Sequence, residues 1–230
     1  MKKLLFLAWL TFLLSSAFGQ RLTQLVLTNN INSNIISFLV DETVILNITR
    51  DGKIIDWGVE SITRRIINYN YPAKLDKYMG KEEYYPATDN EAFQGKIKYI
   101  GRTALTYYSS DENETLRGKL KSIGSIMFEY YAAYEDEAFR GNIKNAGPIL
   151  FAYFGSFDDA AYKGKLKIVG PAAITYYSTF DDKAFRGKVK SIGRQSFVYY
   201  SSYDRREFSG TLKTGSPILY VNGIKYFIYN

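Results

Sequence analysis

Six glycines keep a constant interval along this chain: Gly95, Gly118, Gly141, Gly164, Gly187 and Gly210 stand 23 residues apart. A second glycine follows six residues later at Gly101, Gly124, Gly147, Gly170 and Gly193, and one place early in the last unit, at Gly215. Repetition without insertion means that every unit fills the same volume, which is the mark of a stacked array.

Within a unit, Phe185-Arg186-Gly187-Lys188-Val189-Lys190 alternates apolar and basic residues, the period of a half-buried strand. The second glycine breaks the run. A β-branched and aromatic segment follows, Ser196-Phe197-Val198-Tyr199-Tyr200, and acidic, turn-prone residues such as Asp181-Asp182 and Asp158-Asp159 lead into the next unit. Each unit therefore reads as one β-hairpin, and the fold class as all-β: an extended antiparallel sheet of tandem hairpins. A β-solenoid with one coil per 23 residues is the alternative. The acidic turn and the glycine break favour hairpins, because a coil needs three short strands and a more continuous inward apolar pattern.

Strand parity sorts the side chains. Leu105, Phe128, Phe151, Ile174 and Phe197 share the expected packed face with Tyr107, Tyr130, Tyr153, Tyr176 and Tyr199, and with Tyr134, Phe157, Phe180 and Tyr203 further on. The opposite, solvated face carries Tyr108, Tyr131, Phe154, Tyr177 and Tyr200. On the first strand, Lys96 and Lys98, Lys119 and Lys121, Lys165 and Lys167, and Lys188 and Lys190 point away from the packed face. Stacking turns these residues into a row of Lys beside a row of Tyr, interrupted in the third unit by Asn142 and Phe154.

The repeats cover residues 89–216 and need protected ends. Residues 217–230 contain Asn222-Gly223 between apolar runs, a strong hairpin signal, and read as a C-terminal cap. Residues 20–88 read as an N-terminal cap holding a degenerate unit, Gly52 to Gly58, and an insertion with Tyr71-Pro72 and Tyr84-Tyr85-Pro86. Residues 1–19 have the order of a secretory leader: Lys2 and Lys3, an apolar run from Leu4 to Leu14, then Ser15, Ser16, Ala17 and Gly19. That run falls short of the ~20 residues of a membrane-spanning helix. The expected location is periplasmic, outer-membrane-associated or extracellular.

The 23-residue period and the aromatic-x-Gly start of Phe139-Arg140-Gly141 and Phe185-Arg186-Gly187 resemble the MORN class of hairpin repeat over residues 89–216. Here the second glycine lies at +6, one residue later than is usual in that class, and the later Gly-x-Gly is missing. The resemblance implies a hairpin array serving as a scaffold or lipid-associating module, with nothing catalytic. The leader followed by Gln20 is similar to those of exported bacterial proteins.

The chain has no Cys and no His. That excludes disulfides, thiolate zinc sites and His-based triads, and leaves an enzyme only carboxylates, Lys or Tyr. Asp158-Asp159 and Asp181-Asp182 recur one unit apart and form the one arrangement that suggests carboxylate-based glycoside hydrolysis. The equivalent positions are Asp89-Asn90 and Glu112-Asn113, so turn chemistry accounts for them first. No calcium-loop spacing is present, and no cofactor is expected. Loss of Lys2 and Lys3 takes the formal charge from +7 to +5, a mild bias without the concentrated patch of a nucleic-acid binder. The expectation is an exported, non-enzymatic binding or structural protein. Its ligand site is Tyr108, Tyr131, Tyr177 and Tyr200 with the eight lysines named above, and its partner is a polysaccharide or, alternatively, an envelope protein on a scaffold.

Overall fold

Five of the six units contain the expected hairpin, though shorter than the sequence suggests; in the last, Leu212–Thr214 pairs only with the preceding unit. In the second, Leu120–Ile123 and Ile126–Tyr130 pair antiparallel around the two-residue turn Gly124-Ser125, with Ile123 opposite Ile126. Gly124 has φ +54 and Ser125 keeps the ordinary sign, the pattern of a type II′ turn, whose twist matches that of the strands. Phe185-Arg186-Gly187 and its equivalents are not strand: they form the turn that precedes it, and the strand begins at Val189.

A computed structural model describes residues 19–60 and 74–229. Most of the leader and the Tyr71-Pro72 part of the insertion lie outside the described residues. In chain order the strands are β1 (Arg21–Thr28), β2 (Ile35–Asp41), β3 (Val44–Ile48), β4 (Ile54–Glu60), β5 (Leu75–Lys77), β6 (Glu82–Tyr84), β7 (Ile97–Ile100), β8 (Thr103–Tyr107), β9 (Leu120–Ile123), β10 (Ile126–Tyr130), β11 (Ile143–Ala146) and β12 (Ile149–Tyr153). They continue with β13 (Leu166–Val169), β14 (Ala172–Tyr176), β15 (Val189–Ile192), β16 (Gln195–Ser196), β17 (Val198–Tyr199), β18 (Leu212–Thr214), β19 (Ile218–Val221) and β20 (Ile224–Tyr229). Strands β6 to β16 form one 11-stranded sheet in sequence order, and β17 pairs with β18. Neighbours in this array are antiparallel, so it is built of hairpins and not of solenoid coils. The array starts earlier than Asp89: Tyr84-Tyr85 stands 23 residues before Tyr107-Tyr108 and occupies the same place, with β6 pairing β7.

A bulge recurs at each junction between units. Thr106 faces Ser122 and Tyr107 faces Leu120, leaving Lys121 as the extra residue. The same skip falls on Lys98, Lys144, Lys167, Lys190 and Lys213. A bulge re-aims its side chain and adds twist. It also explains why Leu120 and Ile123, three residues apart, are both fully buried.

The two terminal segments, read as separate caps, form one sheet. Strand β1 runs parallel to β20, with Leu25 beside Tyr226, in a seven-stranded sheet of order β19-β20-β1-β2-β3-β4-β5. Asn222 and Gly223, at φ +50 and +78, make the type I′ turn between β19 and β20. Gly58 lies inside β4, so the Gly52 to Gly58 fragment is an ordinary strand and turn and not a repeat. This sheet lies on the repeat sheet: Phe38 meets Phe128 edge-on at 5.3 Å, and buried residues of both sheets make one core. The reason is physical. A single sheet exposes one apolar face, and a second layer is needed to take Phe128, Phe151 and Phe197 out of water, each burial contributing about 2–3 kcal/mol.

Candidate binding surface

The expected packed row is buried: Tyr107, Tyr130, Tyr153, Tyr176 and Tyr199 all face the core. Tyr134, Phe157, Phe180 and Tyr203 do not join them. Their exposures are 92, 104, 95 and 95 %, because they stand on the turns beyond the strand ends, where strand parity no longer applies. They form a comb of projecting rings, one per unit, at about 9.5 Å if each unit adds two strands.

The Tyr row expected to be solvated is half-buried and has a structural task. The hydroxyl of Tyr108 donates to the Phe128 carbonyl at 2.8 Å, Tyr131 to that of Phe151 at 3.0 Å, and Tyr177 to that of Phe197 at 2.8 Å. Each bond pins one unit to the next. Burial raises the pKa of all three phenols. Tyr131 also packs on Phe139 at 4.6 Å, and Tyr177 on Phe185 at 4.6 Å. Tyr200, in the last complete unit, lies 5.4 Å from Phe208.

The lysines divide into two rows. Lys96, Lys119, Lys165 and Lys188 turn inward between units and donate to the carbonyls of Gly118, Gly141, Gly187 and Gly210. Each also lies over a buried ring, that of Tyr107, Tyr130, Tyr176 and Tyr199 respectively. Burial lowers their pKa, for Lys165 to about 8. They do not point away from the packed layer as strand parity suggests, since they precede the strand proper and the bulge separates them from the second row.

That second row comprises the bulge residues. Lys98, Lys121, Lys167 and Lys190 lie 5.1–5.3 Å above Tyr85, Tyr108, Phe154 and Tyr177. Lys144 and Lys213, not singled out from sequence, complete it over Tyr131 and Tyr200. Their 23-residue spacing was the available signal. Along the row the environment changes. Glu112 reaches Lys121 at 3.7 Å and Glu135 reaches Lys144 at 3.3 Å. In later units the shorter Asp158, Asp181 and Asp204 cap their own turns, accepting from the backbone N–H of Gly155, Ser178 and Ser201. Lys167, Lys190 and Lys213 are exposed and have no carboxylate within ion-pair distance among the described residues.

The second acidic residue of each turn ties adjacent units together. Asp136 accepts from Ala138 and from the backbone and hydroxyl of Ser156; Asp182 does the same with Ala184 and Ser202. The side-chain bond from Ser156 heads the causes that lower the Asp136 pKa, and the Ala184 N–H those that lower Asp182. Asp158 and Asp181 accept from the N–H groups of Gly155 and Ser178, Asp159 from Ala161 and Thr179, and Asp182 from Ala184 and Ser202, so all four carboxylates are engaged in turn and inter-unit contacts.

The interruption at Asn142 has a cause that sequence could not reveal. Arg50, in the turn between β3 and β4, sends Nη1 to the Gly164 carbonyl at 3.1 Å, the acceptor that a lysine in place of Asn142 would take. The Arg50 carbonyl accepts from Ile143 N–H at 2.8 Å. The terminal sheet thus supplies a cation the array omits, at a site where Asn142 is 4 % exposed.

Among the described residues no helix is long and apolar enough to cross a membrane, and no group of three acidic side chains is gathered to hold a metal ion. No family model, no curated protein and no solved structure matches the chain.

Proposed function

We propose that this chain is an exported, non-enzymatic binding protein that recognises an extended polysaccharide along the loop edge of its C-terminal units. One observation carries the reading: Phe157, Phe180 and Tyr203 project almost fully into water in the same units where Lys167, Lys190 and Lys213 are exposed and, among the described residues, have no carboxylate within ion-pair distance. Exposed rings cost solubility and add nothing to the core, whereas a ring row at about 9.5 Å per unit presents stacking faces at a spacing comparable with two sugars of an extended glycan. A groove of about 520 Å³ between Phe180 and Tyr203 is lined by Lys183 and Arg186 together with Asp181, Asp182 and Ser202, and gives the strip a polar floor of mixed charge. The ligand surface is thus shifted from the Tyr108, Tyr131, Tyr177 and Tyr200 row, whose rings are packed, toward the comb beside it.

Retention of residues 20–230 on insoluble neutral and anionic polysaccharides, at low and high salt, tests this. Changing Tyr134, Phe157, Phe180 and Tyr203 to Ser is expected to abolish retention while leaving the unfolding midpoint within the small range usual for surface changes. Retention on anionic glycans weakens with salt if the lysines contribute. Equal retention of parent and variant, or no retention on any glycan, overturns the reading; co-purification of a stoichiometric protein partner supports the scaffold instead.

A further inference from the structure

At the other end of the array, a cleft of about 490 Å³ opens between the terminal sheet and the first repeats. Its volume is in the range of small-molecule sites. Trp57 from β4 and Tyr84 from β6 wall it, and both are held by one side chain: Trp57 Nε1 donates to Glu82 Oε1 at 2.7 Å, and the Tyr84 hydroxyl to Glu82 Oε2 at 3.0 Å. The shared carboxylate fixes two rings from different sheets. Tyr84 is 48 % exposed and Ile55 beside it 47 %, so the apolar lining is open to a ligand.

The charge around this cleft is predominantly basic. Among the described residues, Lys53, Lys96, Arg117 and Lys119 line it, against Asp51, which accepts from the Thr49 hydroxyl, and the neighbouring Glu82, whose carboxylate is taken up by Trp57 and Tyr84. Lys96 and Lys119 each give one N–H to a glycine carbonyl and keep two. Arg117 gives one to Ser110 and keeps four. The aromatic walls suit the apolar faces of a sugar ring, and the unused N–H groups of the cations suit its hydroxyls and an acidic substituent on it. An acyl chain would need a closed apolar tunnel, which these half-exposed walls do not form.

We propose that this cleft is a second, separate binding site that takes a carboxylate-bearing sugar, a hexuronate unit, stacked between Trp57 and Tyr84 with its carboxylate toward Lys53 and Arg117. The inference is independent of the C-terminal strip. Trp57 is the only tryptophan after the leader, so its fluorescence reports this cleft alone.

The experiment titrates residues 20–230 with glucuronate, glucose, inorganic phosphate and decanoate while following Trp57 emission. A saturable change with glucuronate, weakened about tenfold or more in the double variant Lys53→Gln with Arg117→Gln, is the expected result. Both side chains are exposed, and circular dichroism verifies that the variant folds. No response to glucuronate, equal responses to glucuronate and glucose or phosphate, a response to decanoate alone, or full affinity in the double variant would each overturn the proposal. The four-residue comb variant keeps the glucuronate response, so failure of the strip and failure of the cleft are read apart.

Discussion

Arg50 and Asn142 make a pair that mutation can invert. Asn142→Lys restores the array's own pattern, but the new ammonium meets a guanidinium already bonded to the Gly164 carbonyl at 3.1 Å, in a place where Asn142 is 4 % exposed. Two cations about 4 Å apart repel by roughly 4 kcal/mol at an effective dielectric of 20. Relaxation of one side chain toward solvent reduces this, giving an expected loss of about 2–4 kcal/mol. Arg50→Ala alone removes a charged hydrogen bond and leaves the carbonyl without its donor, for about 1.5–3 kcal/mol. The double variant is expected to recover most of both losses, because the introduced lysine then makes the bond that Lys96, Lys119, Lys165 and Lys188 make to the glycine carbonyl of the following unit. Equilibrium unfolding in urea, followed by Trp57 fluorescence, measures the cycle, and at this chain length each kcal/mol moves the melting temperature by about 2–4 °C. Effects that add to within about 0.5 kcal/mol would show that the two positions do not share an acceptor, and would refute the argument.

Two further outcomes follow from the same geometry. Gly147→Ala should cost about 1–2 kcal/mol, the price of a left-handed φ of +57 with room for the methyl, whereas Gly118→Ala, at φ +70 and with the new methyl 2.7 Å from the Ala92 carbonyl, should cost at least ~1 kcal/mol more; urea midpoints that rank the other way contradict the structure. Burial holds the Lys165 ammonium at about 8 in the folded chain while the unfolded chain keeps that proton to about 10.5, so over this window the unfolded state binds more protons and stability rises with pH. Above about 10 the sign reverses, because burial raises Tyr107, Tyr130 and Tyr176, and the unfolded chain sheds phenolic protons that the folded chain keeps. Urea midpoints that decline steadily from pH 7.5, with no rise before the fall, would refute the assignment, and Lys165→Met should flatten the rise.

Much of the fold was legible in the 23-residue interval. It specified the hairpin, because a glycine at the first central turn position selects a type II′ connection between runs such as Leu120–Ile123 and Ile126–Tyr130. It also specified which Tyr in each Tyr-Tyr pair is buried, since alternation within a strand is a local rule. The rule failed where the strand ended. Tyr134 and Phe157 lie on turns, and their exposure follows from the path of the chain after Tyr131 and Phe154, which alternation does not describe.

Only tertiary structure decided the rest. The sequence determined that one unit stacks on the next, because neighbours in the array are also neighbours in the chain. What covers the array is a contact between distant segments: β1 pairs with β20 across the whole length of the chain, and Arg50 reaches Gly164. Such contacts leave no period to read. The same is true of the two lysine rows, alike on paper, which separate into structural and exposed sets only because a bulge and a second layer give residues two places apart different surroundings.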